Sequence, residues 1–122
     1  MLEDFRTFEA TDPFGRSWKI GFLWQQNAIS IRHADAVDVK FELVSGDRRL
    51  SKVIALPHPS LLELSRKTGR PLTDAWCSRL AALHLRETIE TGEDMDKTVI
   101  TPTFEMLERH HARMEQPARS GR

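Results

Sequence analysis

Apolar residues in the first half of this chain recur mostly at every second position. Beyond Leu56-Pro57-His58-Pro59 they recur at helical spacing. That change of period predicts an α+β domain. An antiparallel β-meander of four or five strands, drawn from the N-terminal half, packs against a central helix with two further, shorter helices. From Arg16 to Trp24 the alternation puts Trp18, Ile20, Phe22 and Trp24 on one face, with Lys19 and Gly21 on the other. Asp12-Pro13-Phe14-Gly15 reads as the turn before it, since Pro13 presets φ and Gly15 permits a positive value. Gln25-Gln26-Asn27 is expected to reverse the chain into a short strand holding Ile29 and Ile31. Val37, Val39, Phe41 and Leu43 then alternate with Asp38, Lys40 and Glu42, and Ser45-Gly46-Asp47 closes a hairpin onto Leu50 to Leu56.

The second half reads as helical. His58-Pro59 suits a helix start, Leu61, Leu62 and Leu64 give a short stripe, and Gly69 is placed to end it. Thr73 is the expected N-cap of a longer helix, Asp74 favours its positive end, and Gly92 stops it after Thr91. On the helical wheel Trp76, Leu80 and Leu83 cluster, while Ala82, Leu85 and Ile89 fall on the opposite side. A helix apolar this far round is covered on more than one side, by the sheet and by either the last helix or a second subunit. Leu85 and Ile89 are therefore the expected dimer surface. The acidic stretch Glu90 to Asp96 is a connection, and Thr98-Val99-Ile100 is either a short strand or an extended arm. Thr101-Pro102 restarts a helix carrying Phe104, Leu107, His111 and Met114. Residues 1–115 form one expected domain, and 116–122, without apolar periodicity, an expected disordered tail.

Composition narrows the partners. Lys and Arg together number 18, as do Asp and Glu, so the net charge is zero with histidine neutral. The global basic excess of a dedicated nucleic-acid or membrane-surface binder is absent, although a local patch is still compatible with it. The lone Cys77 excludes an intramolecular disulfide framework and suits a reducing compartment, so the cytoplasm is the expected location. No apolar run approaches the roughly 20 residues that span a bilayer.

Candidate chemistry is sparse. His33-Ala34-Asp35 could aim an imidazole and a carboxylate at one metal, with His58 or His84 as a distant third ligand. Polar residues between two strands account for the same pair, and no metal or cofactor is expected. His84 lies between Leu80 and Cys77 on the wheel and is expected to be buried in a structural role. Cys77 stands two helical turns away, roughly 10 Å, too far for an activated thiolate pair. Glu87 falls on the apolar face, either solvated near the helix end or paired beside a cavity. Arg66, Lys67 and Arg70 surround Gly69 as a basic patch, and Arg48, Arg49 and Lys52 form a second group on the last hairpin. A pocket between sheet and helix would be lined by Trp18, Trp24, Trp76 and His84. No phosphate-cradling glycine loop, nucleophile elbow or paired zinc cysteines occur in the sequence.

The expected function is that of a small non-enzymatic interaction or regulatory module, acting on a protein partner or on itself as a homo-oligomer. Two alternatives stand beside it. One is nucleic-acid association through the Arg66–Arg70 turn. The other is ligand binding or catalysis in the tryptophan-lined pocket.

Overall fold

The computed structural model describes residues 6–28 and 36–115. Its elements run β1 (Thr7–Thr11), β2 (Ser17–Ala28), β3 (Ala36–Ser45), β4 (Arg48–Pro57), α1 (His58–Thr68), α2 (Asp74–Thr91), β5 (Val99–Ile100) and α3 (Phe104–Glu115). The fold is α+β. Strands β1 to β4 form an antiparallel meander, and β5 adds to β4 in parallel, giving the order β1-β2-β3-β4-β5. The strand expected around Ile29 and Ile31, the His33–Asp35 pair and the tail from 116 lie outside the described residues.

One sheet face is apolar and carries the helices. Phe8, Ile20, Leu43, Phe41, Val39, Ile54 and Leu56 form a core with Leu61 and Leu64 of α1 and with Leu80, Leu85 and Ile89 of α2. Helix α2 lies on β1, β3 and β4, α1 lies on β4, and α3 packs on α1 and α2. The caps follow local chemistry. Thr73 accepts a hydrogen bond from the Trp76 amide at 3.1 Å, and Gly92 ends α2 at φ 79°. No described helix is long and apolar enough to cross a membrane.

Three expectations are corrected. Strand β2 does not turn at Gln25-Gln26-Asn27 but runs to Ala28, and it carries a β-bulge. Phe22 pairs with Phe41 but Trp24 pairs with Lys40, so Leu23 is an extra residue that shifts the alternation. Trp24 is thereby moved to the outer face with Lys40, and Gln25 to the inner face, where it bonds Ser78 and Asp74 of α2. Leu85 and Ile89 are both 0% exposed within the single chain, and so is Ala82, so they offer no dimer surface. The arc of α2 is wide because the sheet takes one side and α3 another. Lys52 does not belong to the exposed basic group of the hairpin, because it points inward from the register position opposite Phe41 and is 5% exposed.

Candidate functional site

The four residues expected around one pocket do not line one: Trp18 and Trp24 stand apart on opposite sheet faces, and only Trp76 and His84 share a neighbour, α3. Trp18 is buried at one end of the inner face. Its indole N–H donates to Asp12 at 3.2 Å, and the guanidinium carbons of Arg16 and Arg48 lie 5.9 and 5.8 Å from its ring. Burial pushes the Asp12 carboxyl upward, but hydrogen bonds from the Arg16 and Phe14 amides and from Trp18 outweigh it and hold the group below its ordinary value. Trp24 stands on the outer face with the Lys40 amine 5.8 Å from its ring. Trp76 and His84 face α3. A cleft of about 210 Å³ does open between the start of α2 and the end of α3, lined by Arg70, Thr73, Trp76, Arg79, Met114 and Glu115 among others. Of the four, Trp76 alone lines it. The cleft is below the usual size of a small-molecule site, and its carboxylate is already paired with Arg70.

The basic patch is compensated. Arg66 pairs with Glu63, Lys67 with Glu108 and Arg70 with Glu115, and the Glu108 carboxylate raises the Lys67 amine above its usual range. A phosphate chain would have to displace three carboxylates to use these cations. On the hairpin, Arg49 likewise pairs with Glu42. Lys52 donates through Nζ to the Met95 and Lys97 carbonyls, each at 2.6 Å, and burial lowers its pKa against the opposing charge of Asp96.

A polar cluster lies in the α2–α3 seam. The His84 Nδ1 and His110 Nε2 atoms are 3.0 Å apart, with their rings edge to face. Glu87 Oε1 lies 3.6 Å from His110 Nε2, and Glu87 Oε2 accepts from Arg109 at 2.6 Å. Glu87 is thus paired. Burial would raise its carboxyl, but the Arg109 bond and charge hold it low. Burial lowers His84, with Glu87 and Asp94 opposing. Burial, then the nearby His84, brings His110 down to about 4. Beside this pair, Trp76 donates through Nε1 to His111 Nδ1 at 3.3 Å. Sequence reasoning placed His84 inside but missed His110, whose position depends on how α3 lies on α2.

Cys77 is buried, and burial together with the Asp74 charge pushes its thiol up to about 11, far from thiolate character at neutral pH. Among the described residues no three His, Cys, Asp or Glu side chains stand together as a metal-holding group.

The outer sheet face has its own order. Trp24, Lys40, Val53 and Val99 are register neighbours on four adjacent strands. Trp24 is 38% and Val99 54% exposed, and Leu23 in the bulge is 48% exposed. Around this row the outward positions Lys19, Lys40 and Arg49 balance Glu9, Asp38 and Glu42. Burial raises the Asp38 carboxyl above its ordinary value.

Compared with protein families, with characterised proteins and with solved structures, the chain matches none.

Proposed function

We propose that the protein is a non-enzymatic interaction module of the cytoplasm that docks protein on the outer face of its sheet, the occupant being a second copy of this chain. The observation that carries the reading is the row Trp24, Lys40, Val53 and Val99, apolar at three of four strands and opposite the face that holds the helices. Trp24 and Val99 are exposed at the two ends of the row, with Lys40 and the half-buried Val53 between them. Exposed apolar surface marks association sites, and tryptophan is the residue type most often energetically dominant in them. Balanced charge favours protein over nucleic acid, because three cations and three anions on one face make no electrostatic path for phosphates. The same balance favours a second copy. Both signs are interspersed, so the face is complementary in sign to itself, and a chain of zero net charge does not repel its own kind at long range. The cytoplasmic assignment rests on the lone, buried, protonated Cys77.

Light scattering over about 1–100 µM, where an association of micromolar strength is read, is expected to show a dimer. Trp24→Glu and Val53→Glu should each return it to a monomer with helix content unchanged by circular dichroism. A monomer throughout that range overturns the reading. So does a dimer that both substitutions leave intact.

A further inference from the structure

Helix α3 is attached with little apolar material. Its buried residues are Leu107, His110 and His111, with Phe104 and Met114 partly covered. Two of its three buried side chains are therefore imidazoles, and the protonation of this seam bears directly on whether α3 stays docked.

The hydrogen-bond accounting fixes where protons sit. His110 Nδ1 is buried and has no partner among the described residues. If that nitrogen carried the hydrogen, a buried N–H would be left without an acceptor. With the hydrogen on Nε2 instead, His110 donates to His84 Nδ1 at 3.0 Å and leaves only an unpaired acceptor, the cheaper defect. In that arrangement two lone pairs remain to take another proton, and both are poor. A proton on His84 Nδ1 sets two N–H groups against each other across the shared gap. A proton on His110 Nδ1 makes a wholly buried cation with a donor that has nowhere to point.

We propose that this seam is a proton-operated latch: α3 stays docked while the facing nitrogens of His84 and His110 share one proton, and it disengages when the pair takes up another. The surrounding charges do not cancel the effect. Glu87 of α2 and Asp94 of the following connection favour uptake, while Arg109 and Arg113 of α3 oppose it. Glu87 faces His110 Nε2 through Oε1 at 3.6 Å, but its charge is already shared with Arg109 on Oε2, and it gives His110 Nδ1 no acceptor. Release would uncover Leu107 and the α2 side chains beneath it, giving the molecule apolar surface in acid that it lacks at neutral pH.

Hydrogen exchange followed by mass spectrometry tests the latch, with protection corrected for intrinsic rates at each pH. Between about pH 7 and about pH 4.5, wild-type protection across Phe104–Glu115 should fall about tenfold more than that of β3 and β4. His110→Gln keeps an N–H in the place of Nε2 but does not titrate. In it the extra loss should shrink to about threefold or less. Should that variant fold poorly, His84→Asn, which keeps an acceptor in the place of Nδ1, serves the same comparison. The latch is overturned if α3 loses protection only in step with β3 and β4. It is also overturned if the folded variants respond to pH as the wild type does.

Discussion

A lysine amine on the inner face of a sheet is costly unless its donors are met, and Lys52 meets two carbonyls of the connection that follows α2. The side chain thereby ties β4 to the segment that leads into β5. Lys52→Met keeps the aliphatic stem and removes both bonds, so it is expected to cost about 2–4 kcal/mol in urea unfolding, given two hydrogen bonds to a charged donor. A loss below about 0.5 kcal/mol would mean that the carbonyls find water instead. Period two, which sets residue 52 between Leu50 and Ile54, carried the inward position, but charge alone grouped it with Arg48 and Arg49. The carbonyls were not legible, since they lie more than 40 residues further along the chain. Trp24 shows the opposite limit. Phe22-Leu23-Trp24, three large apolar residues in succession, is the one trace of the bulge, and strict alternation read through it put Trp24 on the wrong face.

At the level of elements, α2 is the best-specified piece of the chain. Its start at Thr73, its stop at Gly92 and its breadth of apolar surface are all local properties, and all can be read without the fold. Leu80 is fully buried among sheet and helix residues, so Leu80→Ala is expected to cost about 2–5 kcal/mol, the range for a large-to-small change in a packed core. Chemical denaturation measures it, and a cost under about 1 kcal/mol would show a core loose enough to collapse around the gap. A wheel gives the width of an apolar arc but not the identity of its cover. For that reason Leu85 and Ile89 read as a candidate surface, although α2 is covered by the sheet and by α3 of the same chain. The basic turn fails similarly. Arg66, Lys67 and Arg70 are close in sequence, whereas two of their three carboxylate partners, Glu108 and Glu115, come from α3.

For the molecule as a whole, acid should be the weak side. A histidine lowered to about 4 in the folded state, against 6.5 when unfolded, leaves the unfolded chain holding more protons between those values. His110 therefore contributes stability that is complete above about pH 6.5 and is lost as pH falls toward 4, roughly 3 kcal/mol in all. Urea midpoints measured across that window should decline with pH, and a flat profile would contradict a buried neutral pair. The α+β plan itself was legible because meander and helices each follow from a local period, but the parallel seat of β5 was not. The order of the elements along the chain also concerns time. Strands β1 to β4 pair consecutively and can form as soon as they are synthesised, yet the α2 side chains that cover their inner face end at Thr91, about 35 residues later. At roughly 5–20 residues per second the ribosome leaves that apolar face bare for about 2–7 s, long enough for a chaperone to be its first companion.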